Sequence, residues 1–273
     1  DIATRFAHLF LAKAPPEFFQ GRDIESHARL TLRAFRFLQR ARPGRVDVEV
    51  LNPSEENEGW SAPVTVIRTN VSERPFIVDT IREYLHSQAL LIGRFVYPVL
   101  HVARAEDARI LDLGPASAGE PRESLIHCEV PQISDPERLE ELRSALQAHL
   151  EDVVRATDDF EEMIGALDQT VASLTDSARQ IPDRDDEIRE IQEFLRWLRD
   201  GGFVFLGYRG DDIVEGEDGE RSVVVEPGSG LGILRDDSMS SCAVPVPLDS
   251  LRGGLRERVE DGPILTTSKT NAL

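Results

Sequence analysis

The residue types best suited to chemistry are the six histidines, the two cysteines and the glycine run "EPGSGLGIL" at 226–234. His8, His27, His86, His101, His127 and His149 are scattered, without the close spacing of a ligand set. Only His101 and His127 fall on neighbouring expected strands, where they could approach each other as paired zinc ligands. The plainer role for both is a strand residue with a satisfied ring nitrogen. Cys128 alternates with Ile126 and Val130, a core-facing set, and reads as a small buried hydrophobe rather than a nucleophile. Cys128 and Cys242 form neither a metal-ligand spacing nor a disulfide framework. Gly228, Gly230 and Gly232 follow the pattern G-x-G-x-G. A dinucleotide loop needs G-x-G-x-x-G with a helix directly after it, so this run reads as a turn between strands. No G-x-S-x-G elbow and no P-loop is present. Acid runs such as "DRDDEIRE" read as solvated helix faces. The sequence therefore names no catalytic residue and no metal site.

One junction stands apart. The apolar run "VTVIRT" feeds the helical pattern "PFIVDTIREYLHSQ" through "NVSER", with no phosphate loop between them. Pro75 suits a first helical position, where its missing N–H would have no partner in any case. The cap position then falls to Arg74, which accepts no hydrogen bond from the first-turn N–H groups. Those donors, with Arg74, could meet an anion such as an amino-acid carboxylate. Ser72 could instead cap the helix, and Asp79 could fold back onto Arg74 or Arg82. Both readings, anion site and plain architecture, stay open at this point. Ile77, Ile81 and Leu85 supply the helix's buried face.

The elements that would hold this junction follow from periodicity. Helix "DIESHARLTLRAFRFLQRA" places Ile24, Ala28, Leu32, Phe35 and Leu38 on one face and stops at "RPG". Strands are expected at 45–51, 64–71, 93–104 and 124–133, with helices at 75–88 and from 134 onward. Leu139, Leu142, Leu146, Leu150 and Val153 line the last helix, with Ser134 or Asp135 as its cap. The order β, β, α, β, β, α calls for a ferredoxin-like or ACT-like sandwich, class α+β. In "GRFVYPVLHVAR" both alternate sets are apolar, so both sheet faces should be covered. Another subunit or another domain is expected on the second face, with Phe95, Tyr97 and Val99 as the contact set. Further helices follow at about 158–200, then short strands "FVFLGYR", "RSVVVEP", "LGILR", "CAVPVPL" and the strand-like "PILTTSK".

A net charge of −19, with Asp plus Glu at 50 against Lys plus Arg at 31, argues against nucleic-acid and anionic-membrane partners. No run approaches the ~20 apolar residues of a membrane span. Two cysteines in 273 residues make a cytoplasmic home the default. The chain begins at Asp1 and reads as a piece cut from a longer protein.

The stretch from Val64 to Ile133, with "RPFIVDTIREYLHSQALLIGRFVYPVLHVAR" and "ESLIHCEVPQI", resembles the N-terminal region of the large bacterial NAD-specific glutamate dehydrogenases. So do "EIQEFLRWLRDGGFVFLGYR", "GSGLGILR" and the closing "LTTSKTNA". The resemblance implies N-terminal helices over 1–44, an ACT-like domain over 45–158, connecting helices over 159–200 and a PAS-like sheet-rich domain over 201–273. It implies a non-catalytic regulatory or assembly segment, with NAD and the catalytic domain belonging to the full-length protein downstream and no cofactor in this segment. A homo-oligomer is expected. ACT-like modules commonly bind amino acids near the first strand-to-helix junction, here Asn70, Val71, Ser72, Arg74, Pro75 and Phe76, or pair sheets and helices between subunits. This loop lacks the glycine that many amino-acid-binding members carry. A purely structural oligomerisation module with no ligand is the alternative.

Overall fold

The structure is a computed structural model and describes residues 1–117, 119–180, 182–216, 219–250 and 262–267. The chain divides into two compact units, Asp1–Val154 and Arg155–Leu273.

The first unit opens with α1 (Ile2–Leu11), capped by the Asp1 carboxylate on Thr4 N at 2.7 Å. After a 3-10 turn at Pro16–Phe19 comes α2 (Ile24–Arg40), where Asp23 accepts from Ser26 N at 2.7 Å. Both starts use a short acid to satisfy a first-turn N–H. The α2 face keeps Phe35 and Leu38 of the expected set and differs at Ile24, Ala28 and Leu32. Ile24 is 89% exposed and Leu32 is 44% exposed, whereas His27, Leu30, Thr31, Ala34, Phe35 and Leu38 are buried. Two apolar stripes at helical spacing compete on this helix, and the one carrying Leu30, Ala34 and Leu38 meets the sheet.

Strands β1 (Asp47–Leu51), β2 (Val64–Ser72), β3 (Arg94–Val96), β4 (Val99–Arg104), β5 (Ile110–Pro115) and β6 (Arg122–Pro131) form one antiparallel sheet. Its order is β1-β2-β6-β4-β5, with β3 also on β6. The expected strand 93–104 is two strands, because Tyr97-Pro98 interrupts the ladder and proline has no N–H to contribute. Strand β5, which falls in none of the expected strands, hairpins back on β4. Helices α3 (Ile77–Ser87) and α4 (Pro136–Asp158) complete the α+β unit. Asp135 Oδ1 accepts from Glu137 N at 3.0 Å, one of the two caps foreseen for α4.

Parity along β2 and β6 sorts their side chains between two layers. Ile67, Val71, Ile126, Cys128 and Val130 meet Ile77, Ile81 and Leu85 of α3 and Leu142, Leu146 and Leu150 of α4. Val66, Val96, Leu100 and Leu125 meet Phe6, Phe10, Phe18, Leu30 and Leu38. The cover needed on the second face is thus α1 and α2 of the same unit. Each fully buried Ile or Leu contributes roughly 1.5–3 kcal/mol over its exposed state.

The second unit holds α5 (Phe160–Gln180), α6 (Asp185–Trp197), a π-type turn at Leu198–Gly202, and β7 (Gly207–Tyr208), β8 (Asp211–Glu215), β9 (Arg221–Val225), β10 (Leu231–Gly232) and β11 (Val246–Pro247). These strands make a two-stranded pair, β10-β7, and a three-stranded sheet, β11-β9-β8. They are shorter than "FVFLGYR", "LGILR" and "CAVPVPL" suggest, and β8 was not foreseen. Residues 263–267 of "PILTTSK" are not strand, and 268–273 lie outside the described residues. The glycine run forms turns at 227–228 and 233–234 on either side of β10, with no helix directly after it. Gly232 has φ +61°, and a Cβ there would sit 2.2 Å from Leu206 O. Its N–H donates to buried Asp159 Oδ2 at 2.7 Å, and Arg235 pairs with the same carboxylate. Burial would raise the Asp159 carboxyl, but the hydrogen bonds from Arg235 and Gly232 outweigh it and hold it below the usual range.

Candidate functional site

Helix α3 begins at Ile77, two residues later than the sequence pattern suggests. Pro75 lies in the turn before it, and the cap position is Phe76 at φ +72° with no side-chain cap. A left-handed non-glycine residue is uncommon and carries strain. Phe76 is 42% exposed, so its ring does not plug the core.

Arg74 does not stand open to an anion at this turn. Its Nε donates to Ser72 O at 3.1 Å and its Nη1 to Val154 O at 3.2 Å, near the C-terminal end of α4. A guanidinium there complements the partial negative charge of the last carbonyls. The acceptor side of the junction is Glu73, which the sequence reading passed over. Its carboxylate accepts from Tyr97 Oη at 2.9 Å and from the hydroxyl of buried Ser124. Burial pushes the Tyr97 phenol up, the Ser124 hydrogen bond opposes this, and the Glu73 carboxylate adds to it. The structure therefore brings Tyr97, expected on an interface, to the junction residues 72–74. Phe95 lies with the α3/α4 layer, with the Arg82 guanidinium 4.9 Å from its ring centroid, and Val99 is half-buried.

Asn70 and Val71 are buried. Asn70 points to the α1/α2 layer, where its Nδ2 donates to Glu123 Oε2 at 2.7 Å. Glu123 also receives Arg104 through two bonds of 2.7 and 2.8 Å. This pair is one part of a polar stripe that runs under α1 and α2. Buried Arg68 meets the Glu58 carboxylate and, at 2.8 Å, Glu49. Glu129 takes Arg22 through bonds of 2.6 and 2.7 Å, Arg94 at 3.3 Å and His127 Nε2 at 3.1 Å. The Arg22 guanidinium carbon stacks 4.4 Å above the Trp60 ring. Four arginines thus face four glutamates, exposed Arg40 adds a second cation on Glu49 at 2.7 Å, and every carboxylate of the stripe has an arginine partner.

Electrostatics follow from that pairing. Burial would raise the Glu129 carboxyl, but hydrogen bonds from His127 and Arg22 hold it down at about 2. Burial lowers His127, and Arg68 and Arg22 lower it further against the pull of Glu129, so the ring is neutral. Its edge contacts with Phe10 and Phe18, both at 6.1 Å, suit a neutral imidazole. Burial pushes the Cys128 thiol up to about 12, which suits the packing role read from its alternation. His101 stands opposite Arg122 and His127 opposite Arg68, so the two histidines do not form a pair. Among the described residues no three metal-ligating side chains come together, and no helix is long and apolar enough to cross a membrane.

Comparison with known proteins places this arrangement. The model of the family "Glutamate dehydrogenase, ACT1 domain" matches residues 6–146. The NAD-specific glutamate dehydrogenase of Halomonas elongata is 34% identical over 235 residues, covering 85% of this chain and 14% of that protein. The enzyme of the same name from Pseudomonas aeruginosa is 29% identical over the same shares. That of Mycobacterium tuberculosis is 29% identical over 165 residues, 58% of this chain and 10% of that protein. The chain spans about a seventh of the length of the first two relatives.

Proposed function

The chain belongs to the family of the glutamate dehydrogenase ACT1 domain, and on that premise we propose that it is the N-terminal regulatory segment of a large NAD-specific glutamate dehydrogenase. The full protein would convert glutamate, NAD and water to 2-oxoglutarate, ammonia and NADH, with NAD and substrate held by a catalytic domain downstream. In this reading the segment is non-catalytic, acts in the cytoplasm within a homo-oligomer, and has an ACT-like first module and a PAS-like second one. It senses an amino acid at the junction Asn70–Phe76. The observation that carries the reading is the family match over 6–146, which takes in every strand of the first unit's sheet.

The junction geometry refines what would be recognised. Arg74 is engaged by carbonyls, and both hydrogen bonds to the Glu73 carboxylate fall on its Oε2, so the Glu73 Oε1 oxygen is the group to hold an effector's ammonium. The rival reading, a structural module with no ligand, is favoured by the same Arg74 contacts and by the self-paired stripe. Thermal unfolding against a panel of amino acids at millimolar concentration separates them. A ligand at 100 times its Kd stabilises the folded state by about 2.7 kcal/mol. A selective rise that disappears in Glu73→Gln supports sensing, and a flat panel supports the scaffold.

A further inference from the structure

Strand β8 reads DDIVE, and all five of its residues, Asp211–Glu215, are exposed. It lies at the edge of the sheet β11-β9-β8 and pairs only with β9 among the described residues. The ladder phase is fixed by its ends, where Gly216 N donates to Glu220 O at 2.9 Å and Glu226 N to Gly210 O at 3.0 Å. In an antiparallel pair, residues alternate between exchanging hydrogen bonds with the partner and facing away. Asp212 and Val214 therefore bond to β9, while Asp211, Ile213 and Glu215 present N–H and C=O outward. Ile213 is opposite buried Val223 yet is 50% exposed, so the apolar face of this sheet ends uncovered at β8.

We propose that this edge receives an added strand, and that the strand is basic. Strand β8 itself carries Asp211, Asp212 and Glu215 among its five residues and no cation. Arg209 Nε comes within 3.9 Å of Asp211 and Arg221 stands opposite Glu215, so the strand keeps three acids against these two arginines. A second copy is a poor occupant. Antiparallel pairing about Ile213 would set Asp211 against Glu215 twice, and like charges directly opposite destabilise. An extended segment with an aliphatic residue opposite Ile213 and a Lys or Arg two residues to either side, opposite Asp211 and Glu215 on the same face, matches on every count. Its backbone completes the outward hydrogen bonds, its aliphatic side chain covers Ile213, and its cations face the carboxylates.

The test uses the whole chain and two blocked, dye-labelled heptapeptides, Thr-Lys-Thr-Val-Thr-Lys-Thr and the same sequence with glutamate in place of lysine, each with its charges and valine on one face. Fluorescence anisotropy should show saturable, salt-sensitive binding of the basic peptide and at least tenfold weaker binding of the acidic one. Ile213→Pro deletes an outward N–H and leaves the β9 ladder intact. It should weaken the basic peptide at least tenfold with an unchanged Tm. The pair Asp211→Asn and Glu215→Gln, which keeps the backbone, should erase the preference between peptides. No binding, equal binding of both peptides, or full affinity in a folded Ile213→Pro protein would each overturn the proposal.

Discussion

The two faces of the first unit's sheet solve burial in different ways. Toward α3 and α4 the contacts are aliphatic, with Ile67, Ile126, Cys128 and Val130 against Ile81, Leu85 and Leu146, each at most 1% exposed. Toward α1 and α2 an aromatic cluster shares the layer with Arg68, His127 and Glu129, which are also at most 1% exposed. The aliphatic face is tolerant, because a void there costs only lost contacts and transfer energy. The ionic face is brittle, because removing one partner strands another charge out of water.

The sharpest way to break that contrast is Glu129→Ala. It leaves Arg22 and Arg94 without their shared carboxylate, and the expected loss is about 3–5 kcal/mol in urea unfolding. A loss no larger than that of an aliphatic truncation would erase the distinction between the faces. Ile81→Ala, in the other layer, should cost about 3 kcal/mol and leave the pH profile of stability unshifted in shape.

Acid should act through the ionic face. His127 is depressed in the folded state, so the unfolded chain binds the proton first and stability falls as pH drops below about 6.5. Glu129 is depressed from 4.5 to about 2, so its contribution is complete above about 4.5 and is lost as pH falls from there toward 2. Urea midpoints measured from pH 8 to 3 should therefore decline in two stages. His127→Phe should flatten the upper stage and, by removing one of the hydrogen bonds that hold Glu129 down, shrink the lower one. The smallest effect expected is Tyr97→Phe, which removes the hydroxyl from Glu73 and should cost about 1 kcal/mol by the same unfolding assay.

Much of the aliphatic face was legible in the sequence. The Ile77, Ile81, Leu85 stripe, the leucines of α4 and the alternation of Cys128 with its neighbours are local patterns with the period of their element. The ionic face was not. Arg22 and Glu129 are 107 residues apart, and nothing near either announces the other. The loop "NPSEENEGWSAP" looks polar and solvated, yet it buries Glu58 and Trp60 because their partners, Arg68 and Arg22, arrive from β2 and from the turn before α2. The α2 face was misread for a related reason, since two stripes fit the helix and only the sheet chooses between them. At the junction, Pro75 was read as the first helical residue with Arg74 or Ser72 as cap, whereas Ser72 ends β2, Pro75 lies in the turn and Phe76 holds the cap position. The meeting of Glu73 with Tyr97 and Ser124 depends on β3, β4 and β6 coming together, which no local spacing encodes.

The Arg22–Glu129 pair has a consequence for descent as well as for stability. A charge sealed under two helices cannot drift alone, since either single loss passes through a crippled fold. Natural variation at 22, 94, 127 and 129 should then travel as a set, with replacement by apolar residues occurring jointly or not at all. Among relatives, those four positions would mark which lineages kept the ionic layer and which rebuilt it as oil.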